Sequence, residues 1–280
     1  MKRVVSVSLG SASRDHRASI ELLGERFEIA RVGTDGSLDR AIAMLRELDG
    51  TVDALGLGGI DVYLYAGAKR YALRDGLRLL ETVKTTPVVD GSGLKNTLER
   101  AAVGFLQDDL GIDLRGRKVL MVSALDLDKP VRDLAEFEAL AEKYLPDACK
   151  LPFQFFYPTG KKQDRPPQPK YPEYYAEASI VAGDFHFMRQ FMPDRLDGKL
   201  VLTNTLTARD VEELRARGVA RLVTTTPDFG GRSFGTNVVE AALLALLGKR
   251  WSDVTEDDYT RLIAAANLRP RVLELNPTAA

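Results

Sequence analysis

Short apolar runs recur along this chain, and each one is followed by a loop of glycine and small polar residues. Between the runs lie segments whose apolar residues have helical spacing, such as residues 38–48, where Ile42, Leu45 and Leu48 share one face. Strands that alternate with helices usually pair in parallel, so this order predicts an α/β fold with parallel-rich sheets. The runs that predict buried strands are residues 4–9, 52–57, 118–122, 179–182, 200–203 and 222–225.

The alternation of strands and helices starts again after a connector at residues 111–116, and a glycine-rich segment at Gly230 and Gly231 leads the chain back to the first lobe. These two points predict two lobes separated by a cleft, of which the second is Rossmann-like. The predicted lobes are residues 1–110, completed by residues 236–280, and residues 111–235.

Three local patterns add detail to this prediction. Alternating apolar residues on either side of Gly24 predict a β-hairpin. Residues 63–73 are consistent with a second hairpin or with a strand that leads into a helix, and the sequence leaves this open. Residues 151–172 are irregular and rich in Pro, Lys and aromatic residues, which is typical of a functional or mobile loop.

Composition narrows the class of protein. The 280 residues are 45% hydrophobic and carry a formal net charge of −1, so neither nucleic acid nor an anionic membrane surface is an expected partner. Cys149 is the single cysteine, which excludes a disulfide framework and disfavours a thiolate zinc site, and no metal is expected. The apolar runs are shorter than the roughly 20 residues of a membrane span. Residues 1–10 resemble a buried first strand more than a signal peptide, so the cytoplasm is the expected location.

Ligands of parallel sheets bind beyond the carboxyl ends of the strands. Asp90 follows such a strand and precedes Gly91, Ser92 and Gly93, where it could orient a substrate hydroxyl or pair with a lysine. Asp90 or Ser92 could equally cap the following helix. The lysines expected near the cleft are Lys69 and Lys95, and each of them could also be an ordinary surface charge.

Two other loops combine groups that bind anions. Hydroxyl, guanidinium and imidazole groups follow the first strand, where a solvated loop is the alternative; these residues are Ser11, Ser13, Arg14 and His16. Gly230, Gly231 and Arg232 precede a helix whose amides could hold an anion, although the segment could also be a crossover between lobes. His186, between two phenylalanines, fits either a functional or a packing residue.

The stretch Val88-Val89-Asp90-Gly91-Ser92-Gly93-Leu94, followed by the strand at 118–122, resembles the shikimate and quinate dehydrogenases. In that family, an NTDGxG stretch precedes a connecting helix and then the nucleotide-binding strand. Thr224-Thr225-Thr226-Pro227 similarly resembles the NATPxGM region of the family.

The resemblance implies an NAD- or NADP-dependent dehydrogenase of a polyhydroxylated cyclic carboxylic acid. It makes Asp90 the catalytic aspartate and Lys69 the nearest candidate for the catalytic lysine, and it places Ser11 and Ser13 near the substrate carboxylate. Lys95 is a second candidate for the catalytic lysine, and Ser92 is a further candidate for substrate binding. Ser123 and Ala124 stand where the family has a glycine-rich turn. The other residues that would line the cofactor are Asn204, Thr205, Gly230, Gly231 and Arg232.

An alternative function is consistent with the same predicted cleft. A two-lobed binding protein, or an altered enzyme, would hold another anionic small molecule and no dinucleotide. A transferase or hydrolase with a different site is a third hypothesis. The sequence thus leans toward an enzyme without settling it, and a homodimer stays open as an assembly.

Overall fold

The computed structural model of the chain describes residues 1–122, 130–157, 166–227 and 234–277. It is an α/β structure whose two parallel-rich sheets each form the centre of a lobe, as the alternation of strands and helices predicts. Within these four ranges, no helix combines the length and apolar character needed to cross a membrane.

The first lobe is built on a five-stranded sheet in the order β2-β3-β1-β4-β7. Strand β1 lies at its centre and pairs in parallel with β3 and β4, while β2 is antiparallel to β3 at the edge. The central strands are apolar on both faces because helices cover both sides of the sheet. The strands are β1 (Lys2–Ser8), β2 (His16–Leu22), β3 (Glu25–Gly33), β4 (Ala54–Gly58) and β7 (Val88–Val89).

Two hairpins belong to this lobe. The predicted hairpin around Gly24 is confirmed: β2 and β3 are joined at Leu23 and Gly24, which both have positive φ, as a type I′ turn requires. The segment that the sequence left open is also a hairpin, formed by β5 (Tyr63–Ala66) and β6 (Lys69–Ala72).

Helices complete the first lobe from distant parts of the sequence. Helix α8 is apolar on almost every side because it is sandwiched between the sheet and α9, and it shares a core with Val4, Phe27 and Val89. On the opposite face, α1 and α2 pack with α4, whose Ala141 and Leu145 join the same core as Leu55. The helices are α1 (Leu38–Leu48), α2 (Arg74–Leu80), α4 (Leu134–Ala148), α8 (Thr236–Leu247) and α9 (Glu256–Ala265).

The second lobe has a five-stranded sheet in the order β12-β11-β10-β9-β8. Four of its strands are parallel, and β12 is antiparallel to β11 at the edge. Helices α5, α6 and α7 cover one face. The elements are β8 (Val119–Val122), α5 (Pro172–Glu177), β9 (Ile180–Gly183), α6 (Phe185–Phe191), β10 (Leu200–Thr203), α7 (Ala208–Ala216), β11 (Arg221–Thr224) and β12 (Arg271–Glu274).

The chain crosses between the lobes more often than the predicted boundaries imply. Helix α3 (Arg100–Asp108) is the first connection, and its Leu106 packs against Ile180 of the second sheet. The chain then returns to the first lobe with α4, goes back for β9 to β11, and returns again with α8 before β12 joins the second sheet. Apolar spacing shows that α4 buries one face, but it does not show which sheet that face contacts.

Candidate functional site

The carboxyl ends of the strands of both sheets meet between the lobes, and side chains from the two sides touch there. Arg14 follows β1 in the first lobe, and its guanidinium lies 3.3 Å from the Asp210 carboxylate on α7. Both side chains are largely buried, with 15% and 9% of their surface exposed. The rings of Tyr157 and Phe187, again one from each lobe, have centroids 6.1 Å apart. The interlobe site is defined here as the polar residues around these two contacts.

Asp61 organises the first-lobe side of the interlobe site. It follows β4, and its two carboxylate oxygens have different partners: Oδ1 accepts from Lys95 Nζ at 2.8 Å and Oδ2 accepts from the Tyr157 hydroxyl at 2.5 Å. A buried or half-buried charge requires such partners, because its desolvation is otherwise costly. The Lys95 side chain as a whole is 37% exposed.

Lys95 lies at the start of a single π-helical turn, Lys95–Glu99, which precedes α3. Such turns are rare and occur frequently at functional sites. Glu99, at the other end of the turn, accepts a hydrogen bond from the Thr236 hydroxyl at 2.7 Å. The turn therefore connects the interlobe site to the first residue of α8.

On the first-lobe side of the interlobe site, partly desolvated carboxylates surround one cation, Lys95. Burial lowers the pKa of Lys95, but the Asp61 carboxylate more than offsets this and the pKa is raised above its usual value. Burial raises the pKa of Glu99, and the charges of Asp61 and Asp184 add to the rise. Burial and Asp61 together raise the pKa of Tyr157 well above its usual value. Lys95 is thus held charged and Tyr157 protonated.

The second-lobe side begins at Asp184, directly after β9. Its Oδ1 accepts from the backbone amide of His186, which caps α6, and its Oδ2 accepts from Asn204 Nδ2, each at 2.8 Å. Asn204 follows β10 and is fixed in turn, since its own Oδ1 accepts from the Thr205 amide at 2.7 Å. Adjacent parallel strands thereby supply a fixed carboxylate and a fixed amide to the interlobe site.

His186 lies where charges of both lobes converge. Burial lowers its pKa to about 4, the neighbouring charge of Arg14 contributes to the lowering, and Asp184 and Asp210 act in the opposite direction. The imidazole is therefore neutral at neutral pH and carries one donor and one acceptor. No residue in the described part of the chain hydrogen-bonds to its ring.

The structure places Asp90 beneath the interlobe site with its carboxylate already engaged. Oδ2 accepts from the amides of Val62 and Tyr63 at 2.6 and 3.2 Å, and Oδ1 accepts from the amide of Ser92 at 2.8 Å. Asp90 and Ser92 are both buried. Gly91, not Asp90, occupies the N-cap position of the short helix Ser92–Leu94, so Asp90 is not the helix cap that the sequence allowed as the alternative. Its carboxylate instead ties this loop to the start of the hairpin at Tyr63.

The glycines beside Asp90 make room for helices. Gly91 has φ 96°, and a Cβ there would lie 2.8 Å from the backbone nitrogen of Asn237 at the start of α8. A Cβ on Gly93 would clash with Glu240 on α8 and with Tyr259 on α9. Close approach of these helices requires the two glycines, so the motif that indicated a substrate site has a packing explanation.

The expected partnership of Asp90 with Lys69 is not formed. Lys69 lies on the surface hairpin, 58% exposed, and pairs with Glu142 of α4 at 2.5 Å. Its distance from the interlobe site follows from the hairpin, which carries it away from the sheet. Lys95 is in the site, and its main partner is Asp61, with Asp90 a lesser influence on its pKa.

Of the five residues expected to bind the substrate, Ser92 is buried beside Asp90, and the other four have three different roles. Ser11 and Ser13 bond to each other through their hydroxyls at 2.8 Å, and the Ser13 amide also donates to Ser11. Arg14 forms the interlobe contact with Asp210. His16 lies against Phe234, with ring centroids 5.4 Å apart.

Of the residues expected to line a cofactor, Asn204 and Thr205 lie at the interlobe site. The remaining ones, Ser123, Ala124, Gly230, Gly231 and Arg232, fall outside the described residues.

Sequence reasoning missed most of the first-lobe side of the site. Asp61 could have been found because it follows the glycines at the end of a strand. Asp184 stands in the same position after β9 and carries the same signal. Glu99 and Tyr157 carry no such signal, because one lies within a helical pattern and the other in an aperiodic segment.

A small void lies elsewhere, inside the core of the second lobe. Its volume is about 10 Å³, close to the minimum for one water molecule, and it is lined mainly by apolar side chains between β9, β10 and the helices α5 to α7. With no charged group around it, this void is a packing defect and does not extend the interlobe site.

Comparisons with known proteins correct the functional interpretation of the sequence. No curated protein matches the chain. Solved structures that match it include one from Mycobacterium smegmatis in complex with β-D-fucofuranose (9% identity, TM-score 0.34, covering 99% of this chain and 100% of that chain). LsrB from Clostridium saccharobutylicum in complex with AI-2 also matches (12% identity, TM-score 0.32, covering 88% and 80%), as does a further Mycobacterium smegmatis structure (9%, 0.32, 98% and 90%).

None of these structures is described as a dehydrogenase, and the resemblance to shikimate and quinate dehydrogenases is wrong. The assignments of oxidoreductase activity, of a quinate- or shikimate-like substrate and of NAD(P)-dependent chemistry are withdrawn with it. The physical reason is that the stretch around Asp90 is explained by packing: the Asp90 carboxylate binds backbone amides of its loop and of the hairpin, and Gly91 and Gly93 admit α8 and α9.

Two family models match the chain. A domain of unknown function, DUF8753, matches residues 3–90, and a second one, DUF8754, matches residues 124–275. The second match spans more than half of the 280 residues, and the chain belongs to the DUF8754 family.

Proposed function

We propose that this protein is a two-lobed binding protein that holds a small polar molecule at the interlobe site. The observation that carries the proposal is the convergence of fixed polar side chains from both lobes at the carboxyl ends of two parallel sheets. Ligands of α/β proteins bind at such ends, and domain interfaces are preferred places for small-molecule sites.

The side chains of the site are held by neighbours but retain hydrogen-bonding capacity. Asp61 fixes Lys95, whose ammonium group has three donors and uses one of them in this ion pair. Thr236 donates to one oxygen of Glu99, and the described residues place no donor on the other. The His186 ring adds a neutral donor and acceptor from the second lobe. A site with fixed orientations and unused capacity binds a ligand with little loss of conformational freedom.

The contacts between the lobes support a closing motion around the ligand. Arg14 with Asp210, and Tyr157 with Phe187, join the lobes next to the polar groups. Among the described residues, the buried apolar clusters of the two sheets are separate. Interfaces of this polar kind permit relative domain motion. The lobes would separate to admit the ligand and close over it.

A library of small polar molecules tests this function. Sugars, polyols, hydroxy acids and amino acids are added to the purified protein, and the shift of the thermal unfolding midpoint is measured, because a ligand of the folded state raises it. Every compound that binds should then be titrated against two matched variants, Lys95→Met and Lys69→Met. We expect at least a tenfold loss of affinity for Lys95→Met and no change for Lys69→Met, whose ion pair with Glu142 lies on the surface. Equal effects of the two variants, or no binding by any compound, would contradict the proposal.

A further inference from the structure

We infer that the ligand of the interlobe site is a neutral polyhydroxylated molecule, an inference that rests on the proposed binding function. Among the described residues, the first-lobe cations whose charges act on Glu99 or His186 each have their own carboxylate. Lys95 pairs with Asp61 at 2.8 Å, Arg14 with Asp210 at 3.3 Å and Arg31 with Asp15 at 2.8 Å.

A ligand carboxylate or phosphate is disfavoured by this pairing. It would have to take Lys95 or Arg14 from a partner that already neutralises it. It would also approach Glu99 and Asp184, two carboxylates close enough to each other that the charge of Asp184 raises the pKa of Glu99. Like charges in a partly desolvated site repel strongly because solvent screening is weak there.

A ligand ammonium group is disfavoured by the cations of the same site. Lys95 remains charged beside Asp61, and Arg14 is largely buried near His186. Burial is the main cause of the low pKa of His186 and the charge of Arg14 adds to it, so this point is both desolvated and close to a cation. A charged ligand of either sign therefore meets a fixed like charge, whereas a neutral one meets none.

The remaining hydrogen-bonding groups match hydroxyls. A hydroxyl both donates and accepts, and the site contains both acceptors and donors. Glu99 offers a carboxylate oxygen, Lys95 offers ammonium hydrogens and the neutral imidazole of His186 offers one of each. The rings of Tyr157 and Phe187 add apolar faces on which the C–H surface of a cyclic polyol can pack.

Matched sugars test the inference by changing only charge. Galactose, galactosamine and galacturonate are titrated by calorimetry into the full chain, with glucose, glucosamine and glucuronate as a second set and neutral pentoses and inositol as further probes. We expect at least one neutral compound to bind ten times or more tighter than its acidic and amino counterparts. Tighter binding of a charged counterpart, or binding in the wider library only by molecules without several hydroxyls, would overturn the inference and leave the binding function standing. No binding by any compound of either set or of the library would overturn both.

Two variants connect this selectivity to the residues. Glu99→Gln removes a negative charge and keeps the side chain's shape, so the ratio of neutral to acidic affinity should fall about tenfold. Glu142→Gln, on the surface beside Lys69, should leave the ratio unchanged. Lys95→Met removes a positive charge instead, so the ratio of galactose affinity to galactosamine affinity should fall. If both interlobe variants fold, as judged by circular dichroism, and keep the wild-type ratios, the assignment of the ligand class to these residues is wrong.

Discussion

At the scale of single residues, most carboxylates of the site are fixed by backbone amides or by a cation. Asp90 is the clearest case, since three amides donate to its two oxygens. Burial and the nearby charge of Asp61 raise its pKa, so the amides hold a carboxylate in a place that does not favour its charge. Asp90 therefore stabilises the fold by connecting its own loop to the hairpin through these hydrogen bonds.

Replacement of Asp90 tests this structural role. Asp90→Asn keeps the size but offers one acceptor oxygen in place of two, which leaves at least one buried amide without a partner. We expect the free energy of unfolding to fall by about 2 kcal/mol, measured by urea denaturation. Asp147→Asn, at a side chain that is 87% exposed, should change it by less than about 0.5 kcal/mol. A normally stable Asp90→Asn protein would show that the amides find other partners.

His186 makes a second residue-scale prediction, this time for pH. Its pKa is about 4 in the folded protein and about 6.5 in an unfolded chain, so the unfolded state binds the extra proton between these values. Its contribution to stability is complete above pH 6.5 and is lost as the pH falls toward 4, by up to about 1 kcal/mol per pH unit.

His186→Gln should remove that part of the pH dependence. Denaturation of both proteins at pH 5 and pH 7.5 measures it, and the wild type should lose more stability than the variant at the lower pH. NMR titration of the imidazole provides the direct check. A midpoint near 6.5 in the folded protein would contradict the placement of His186 among the buried charges.

At the scale of elements, helix α8 connects the core of the first lobe to the site. Its first residue, Thr236, donates to Glu99, and its Asn237 fits against Gly91. One turn further, the fully buried Glu240 accepts from Tyr259 of α9 at 2.6 Å, and none of the described residues donates to its Oε2 with good geometry. Burial raises the pKa of Glu240 to about 8, with a further rise from Asp90 and an offset from Tyr259 and nearby backbone amides.

The buried carboxyl on α8 predicts a stability that falls with rising pH. Glu240 ionises near pH 4.5 in the unfolded chain and near pH 8 in the fold, so the unfolded state holds fewer protons between these values. Its unfavourable contribution should grow by up to about 1 kcal/mol per pH unit across that range. Glu240→Gln should flatten the decline, whereas Glu47→Gln, on the exposed side of α1, should not. Parallel slopes for wild type and Glu240→Gln from pH 5.5 to pH 8 would show that Glu240 is already ionised in the fold.

The elements also show what could be predicted from the sequence and what could not. Apolar periodicity and turn residues depend on local chemistry, so the hairpin at Gly24 and the strands and helices around Asp90 and Asn204 were predictable. The lobe that α4 joins depends on contacts between distant residues, such as Leu145 with the core of the first sheet. The π-helical turn that presents Lys95 and Glu99 depends on the packing of α8 and α9, for which the sequence carries no local signal. The polar loops beyond the strand ends were thus predictable, but the partners of Asp61 were not.

At the scale of the whole molecule, the lobes are joined by several chain crossings and by polar contacts at the site. The Arg14–Asp210 pair is the part of this interface that a single substitution can remove without touching either core. Arg14→Ala should shift the protein toward an open arrangement, because the buried Asp210 is left without its cation and gains by exposure to water. The radius of gyration in small-angle X-ray scattering should increase. Arg40→Ala, at a 59% exposed side chain on α1, is the control and should leave it unchanged.

An unchanged radius of gyration for Arg14→Ala would mean that the crossings and the ring contact alone hold the lobes together. In that case the ligand would have to enter without separation of the lobes.

The central claim is that both lobes bind one small molecule at the carboxyl ends of their sheets. A crystal structure of the protein grown with the tightest compound of the polar library tests it most directly. The account predicts electron density for that compound between the lobes, within hydrogen-bond distance of Lys95 or Glu99 from the first lobe and of His186 or Asn204 from the second. Density for the compound at any other place, with the interlobe side chains still paired only to each other, would contradict it.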